Sequence, residues 1–192
     1  MTALVIGLVV FLGLHSTRMV ADGARSRFVA QRGLKAWRGL YSLGSAIGLV
    51  LIVWGFGQAR QAPVVLWSPP DWTRPLASAL TLLGIVLITA AYVPRTVFKA
   101  RVGHPMVLGT KVWAFAHLLA AGTLAGVLLF GGFLVWAVWC YRSLRVRDRA
   151  AGRQAAPGQV MPTLVAVVAG VALWFVFGYW LHGWLIGVRP FA

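Results

Sequence analysis

Apolar runs of bilayer-spanning length constrain this chain more than any other feature. Six can be marked, over about residues 2–20, 39–58, 75–93, 105–121, 123–141 and 163–187. Each approaches the roughly 20 residues that an α-helix needs to cross a hydrocarbon layer. A backbone in that layer must satisfy its own hydrogen bonds, so such runs fold as helices. The expected fold is all-α: an integral membrane bundle of about six transmembrane helices, forming one transmembrane domain over residues 1–192. Only 11% of the residues are charged, against about a quarter in soluble domains, which leaves little material for a soluble domain.

The fourth run is the hardest to count because Lys111 lies inside it. From Pro105 to Ala121 a helix is about 25 Å long. It spans if Lys111 bends its ammonium back to the headgroups. The cations favour counting it. Six follow the first run (Arg18, Arg25, Arg27, Arg32, Lys35 and Arg38), and two the second (Arg60 and Arg74). Four follow the third (Arg95, Lys99, Arg101 and the nearby Lys111), and five the fifth (Arg142, Arg145, Arg147, Arg149 and Arg153). These numbers alternate as the positive-inside rule requires if runs four and five form a hairpin through Ala121-Gly122-Thr123. Both termini then lie outside. The first run lacks a basic leader region and a cleavage site, and reads as a retained helix rather than a signal peptide.

The net charge is +15, and Asp22, Asp71 and Asp148 are the only acids. The cations fall between apolar runs, where topology and anionic lipid headgroups account for them. Membrane lipids, not nucleic acid, are the expected partners. Cys140 is the single cysteine, which excludes an internal disulfide and a CxxC site. Trp67 and Trp72 fit an interfacial aromatic belt. The stretch "RDRAAGRQAAPGQVMP" reads as a mobile polar linker. Gly44/Gly48, Gly122/Gly126 and Gly183/Gly187 fit the spacing of small residues at helix–helix contacts.

Few side chains remain to carry chemistry. There is no carboxylate pair, no Ser-His-Asp set and no glycine-rich phosphate loop of a usual nucleotide-binding kind. Histidine and arginine stand out. His15 lies three residues before Arg18, and His117 lies six residues after Lys111. Both are expected in the cytoplasmic half of the bilayer. His182, near the outer end of the last run, is expected away from them. His104 and His117 cannot share one ion, since 13 residues of helix separate them by about 20 Å and point them apart. His104 instead suits the cap of a helix that starts at Pro105.

A lone intramembrane histidine can simply tie helices together. Two in a chain this poor in polar groups point to a shared site. No carboxylate or thiolate is placed to complete a zinc site. Two imidazoles on opposite faces of a planar cofactor need no further protein ligand, and that chemistry is haem. His15 and His117 are the expected metal ligands. Arg18, Arg38, Arg95 and Arg101 are candidates to meet the propionates, and His104 to build the same cytoplasmic rim.

The segments "GLHSTR", "WRGLYSLGSAIGLVLIVWGFGQAR", "LWSPPDW", "HPMVLGTKVWAFAHLLAAG" and "LLFGGFLVWAV" occur in order over about residues 1–150. They closely resemble the NnrU family, which is named for a bacterial membrane protein associated with nitric oxide reduction in denitrification. The family is similar to the 15-cis-zeta-carotene isomerase of plants and cyanobacteria, a membrane haem b protein. The resemblance implies a bacterial inner (cytoplasmic) membrane location and haem b iron held by His15 and His117. It also implies either cis–trans isomerisation of a carotenoid or another apolar substrate, or a role in nitric oxide metabolism. A further histidine of the isomerase falls at Trp136 here, which departs from the isomerase pattern.

Two other readings stay open. "GHPMVLG" resembles the "RHPxYxG" element of membrane methyltransferases such as isoprenylcysteine carboxyl methyltransferase, which implies S-adenosylmethionine as substrate. Glycine replaces the arginine, and only Asp148 stands where that family has two acids. The third reading is a non-enzymatic accessory or assembly protein.

Overall fold

Where the sequence has apolar runs, the protein has helices. The structure is a computed structural model, and it describes residues 1–191. In chain order the elements are α1 (Thr2–Val20), α2 (Asp22–Ala59), α3 (Thr73–Ala90), α4 (Val97–Val102), α5 (Pro105–Ala120), α6 (Leu124–Ala150) and α7 (Val160–Val176). A π-helical turn (Phe177–Leu181) then leads into α8 (His182–Ile186). Among the described residues the only β-type pairings are two isolated bridges, Val65 with Thr123 and Thr96 with Gln159. Five helical stretches are long and apolar enough to cross a membrane, with α7 to α8 counted as one. Helix α5, the run that holds Lys111, is apolar but has only 16 residues, about 24 Å of rise. The protein is an all-α membrane protein.

Two helices extend beyond the expected spans. The expectation for α2 began near residue 39, yet the helix starts at Asp22 and is interrupted at Gly33, with φ 82° and ψ 159°. That conformation is essentially reserved for glycine. It breaks α2 into a basic segment before the break and an apolar one after it. Helix α6 continues past residue 141 to Ala150, carrying Arg147 and Arg149 in its last turn. Arginine is a good helix former and complements the carbonyl end of the helix dipole. The linker that begins at Arg147 is therefore helical at its start. It is anchored at its end, where Gln159 N–H donates to the Arg95 carbonyl at 2.8 Å.

The chain divides into two compact units. The first takes Met1–Leu66 and Thr123–Gly132. Its core is the antiparallel pair α1 and α2, brought together by glycines. A Cβ at Gly48 would lie 2.9 Å from the Phe11 backbone nitrogen, and one at Gly7 would lie 2.7 Å from that of Ile52. A Cβ at Gly55 would overlap the Leu4 backbone. Gly44 meets the Leu14 side chain, so the Gly44/Gly48 spacing does mark a helix contact. Hydrocarbon gives no solvophobic push between helices, and close backbone approach is what lets dispersion hold them. The start of α6 joins this unit through Phe130 against Phe56, with ring centroids 6.3 Å apart, and through Leu124 N–H to the Val64 carbonyl at 2.9 Å.

The second unit takes Trp67–Gly122 and the chain from Phe133 on. Here α3 packs on both α5 and α7. Gly84 and Gly109 face each other, each placed so that a Cβ would press on the other's carbonyl oxygen. A Cβ at Gly170 would press on the Cα and side chain of Val86. The other two glycine pairs noted in the sequence serve different ends. Gly122 lies against the Trp67 carbonyl in a connection, Gly183 lies under the Arg189 side chain, and Gly187 ends α8 with φ 76°.

Gly55→Ala should force α1 and α2 apart and cost about 1–3 kcal/mol. Gly57→Ala, where a Cβ meets nothing within 4 Å, should leave stability unchanged. Thermal unfolding of the two variants in the same detergent compares them.

Candidate functional site

A polar side chain on a membrane helix has few partners, and the carbonyl one turn back is the nearest. Ser16, Thr89 and Thr163 donate to the carbonyls of Leu12, Ile85 and Gln159 at 2.7, 2.9 and 2.6 Å. His15 and His117 use the same device. His15 Nδ1–H donates to the Phe11 carbonyl at 2.7 Å, and His117 Nδ1–H donates to the Trp113 carbonyl at 2.9 Å. A carbonyl only accepts, so the proton sits on Nδ1, and a neutral ring keeps its lone pair on Nε2. Metal-binding histidines commonly have this arrangement, with the second ring nitrogen donating to a carbonyl that fixes the ring.

In the first unit, His15 lies between aromatic groups. Phe11 stacks on it with centroids 4.2 Å apart, and Tyr41 of α2 approaches at 5.1 Å. One turn beyond Tyr41, the Ser45 Oγ is buried and has no hydrogen-bond partner among the described residues. Arg18 pairs with Asp22 at 3.7 Å and stays largely exposed. Arg38 is exposed on α2.

In the second unit, Trp113 sits beside His117 at 5.1 Å and meets Phe133 edge-on at 5.6 Å. His117 is three residues before the end of α5, in the half of the helix away from Lys111 and not in the half that holds it. His182 follows the π-helical turn and donates from Nδ1 to the Val188 carbonyl at 2.7 Å.

His104 has a different setting. It is the N-cap of α5, with Pro105 in the first turn, as the sequence suggests. Gly103 before it has φ 71°, a left-handed conformation that glycine takes at no steric cost. His104 Nε2–H donates to Asp148 Oδ2 of α6 at 2.6 Å. The two side chains are only 21% and 16% exposed, so the pair is well shielded. Tyr141 O–H donates to the Val102 carbonyl at 2.9 Å, and Arg153 reaches the other Asp148 oxygen at 3.5 Å. Lys111 stands over the Tyr141 ring at 5.5 Å. This clasp ties the turn before α5 to the basic end of α6. Arg101 is exposed in the last turn of α4. Arg95 takes φ 57° and acts through its backbone, as the acceptor for Gln159.

Sequence reasoning missed the His104–Asp148 pair, which joins residues 44 apart. The available signal was that Asp148 is the one acid in a strongly basic stretch. Tyr41 and Ser45 carried no signal beyond their four-residue spacing. Among the described residues no group of three or more His, Cys, Asp or Glu side chains converges.

Apolar helices long enough to cross a bilayer define an all-α membrane protein. A family model described as NnrU protein matches residues 3–190. The chain belongs to the NnrU family. The match runs through α7 and α8, which the sequence motifs did not reach. No curated protein and no solved structure matches the chain.

His104→Ala and Asp148→Ala should each destabilise the protein. The double variant should be less destabilised than the sum of the two by about 1.5–3 kcal/mol, as for a charge-assisted hydrogen bond. A double-mutant cycle by thermal or chemical unfolding reads this coupling.

Proposed function

We propose that this NnrU-family protein binds haem b in the membrane, and that His15 and His117 are the residues that would hold its iron. The observation that carries this reading is their shared Nδ1 bond to the carbonyl one turn back. It gives both rings the tautomer that a metal ligand needs without any carboxylate. The donor set suits haem, which brings four ring nitrogens and asks the protein for one or two more ligands. The orphaned Ser45 hydroxyl supports a polar ligand atom in the same region, since buried hydroxyls ordinarily have a partner. Arg18, Arg38, Arg95 and Arg101 are the cations available to propionates, and Arg18 and Arg38 belong to the unit that holds His15. His104 holds the turn before α5 through Asp148 and is not proposed as an iron ligand.

Bound haem supplies an iron that can change oxidation state and take up a small molecule or a double bond. The protein's own contribution is to fix each imidazole ring, His15 between Phe11 and Tyr41 and His117 beside Trp113. Of the two activities implied by resemblance, a role in nitric oxide metabolism is favoured. Trp136 occupies the position where the isomerase has a further histidine. Polyene isomerisation is the second reading, supported by the same aromatic, apolar surroundings. For a methyltransferase, the one matching acid, Asp148, is already engaged by His104 and Arg153.

Detergent-purified protein should show a Soret band and a reduced-minus-oxidised difference spectrum. His15→Ala and His117→Ala should each shift the band or lower haem content about tenfold or more, while His104→Ala should leave its position unchanged. Unaltered spectra in both ligand variants would remove the assignment. Ferrous protein should bind nitric oxide with a spectral change. Conversion of 9,15,9′-tri-cis-zeta-carotene to the 9,9′-di-cis isomer, without such a change, would favour the second reading.

A further inference from the structure

Helix α1 ends at Val20, and α2 begins at Asp22. The basic segment of α2 before Gly33 therefore lies where the chain has just left the bilayer and is about to re-enter it. Eleven residues, Asp22–Arg32, precede the break, a length of about 16 Å. The break at Gly33 is a sharp elbow, and two contacts hold it folded. Phe28 meets Trp37 edge-on at 5.9 Å, and the Arg25 guanidinium sits 5.8 Å from the centroid of the same ring. Trp37 thus fastens the segment to the start of the membrane-spanning part of α2, at a depth where tryptophan is favoured.

The charges around the elbow do not balance. Asp22 is the only acid in the first 70 residues, and it is shared by Arg18 and Arg25 at 3.7 and 3.8 Å. Arg27, Arg32, Lys35 and Arg38 are exposed. Among the described residues none of these four has a carboxylate within ion-pair distance. Positive-inside topology accounts for their number. It does not require an elbow that only glycine can make, nor an aromatic clamp that holds it.

We propose that the elbow at Gly33 presents Arg27, Arg32, Lys35 and Arg38 as a docking surface for the phosphodiester headgroups of anionic membrane lipids. Four unneutralised cations beside a membrane helix are the charge complement of such headgroups. Phosphatidylglycerol meets this surface as a point charge, so lysine serves there as well as arginine.

The test uses the full chain in nanodiscs of phosphatidylcholine containing a minor fraction of phosphatidylglycerol. Native mass spectrometry after partial delipidation reads the retained lipids. Wild-type protein should hold phosphatidylglycerol above its bulk fraction. Each basic residue in contact is worth about a fivefold preference. The Arg27→Gln, Arg32→Gln, Lys35→Gln, Arg38→Gln quadruple variant should fall to the bulk ratio, and an Arg27→Lys, Arg32→Lys, Arg38→Lys variant should keep the enrichment. Gly33→Ala, which retains every charge, should lower the enrichment by straining the elbow. Arg74→Gln, on a different loop, should leave it unchanged.

A wild-type protein that holds lipids at their bulk ratio overturns the proposal, as does a quadruple variant that matches wild type. Wild-type enrichment in Gly33→Ala overturns the role of the elbow. If the quadruple variant instead loses a co-purifying acidic protein with no change in lipid, the surface serves a protein partner and the proposal fails.

Discussion

Inside a bilayer, a polar side chain must find its hydrogen-bond partner within the protein, and here the supply comes mostly from its own helix. The bonds of His15 to Phe11 and His117 to Trp113 are the same solution that Ser16, Thr89 and Thr163 adopt. For a hydroxyl this bond removes a penalty and little more. For an imidazole it also decides which nitrogen bears the proton. A requirement of the solvent thereby fixes the tautomer, without the carboxylate that often does so in soluble proteins.

The same scarcity shapes the helix contacts. Apolar faces gain nothing by hiding from lipid, so large side chains such as Val50, Val168 and Trp184 remain on the outside. Glycines bring backbones close enough for dispersion to act. In the first unit, Gly7, Gly44, Gly48 and Gly55 align α1 against α2 at successive turns. That alignment sets Tyr41 beside His15. The polar neighbourhood of His15 is thus a consequence of a glycine stripe several turns long.

Much of the fold was legible because hydropathy and length are one-dimensional signals. The five long apolar stretches stand close to the expected spans, and the cap at His104 followed from the proline after it. Interruptions and extensions were less legible. Gly33 sits among helix-forming residues, and nothing in its neighbours announces a left-handed break. The extra turns of α6 are basic, and hydropathy reads basic residues as loop. Gly122 and Gly183 had the spacing of a helix contact but lie in a connection and under a side chain. Family membership was readable from ordered motifs. The π-helical turn before His182 was not, because such a turn has no spacing rule comparable to that of an α-helix.

That turn has a consequence for everything after it. Five residues from Phe177 to Leu181 close on the i→i−5 bond rather than the i→i−4 bond, with His182 N–H donating to the Phe177 carbonyl. One more residue is thereby accommodated than an α-helix would take, and the segment beyond is rotated about its axis by roughly one residue's worth of arc, about 100°. His182 and Trp184 therefore present themselves on a different side from the one an unbroken α7 would give them. The azimuth of the C-terminal end is set by a single extra peptide, a feature invisible to any average of hydrophobicity.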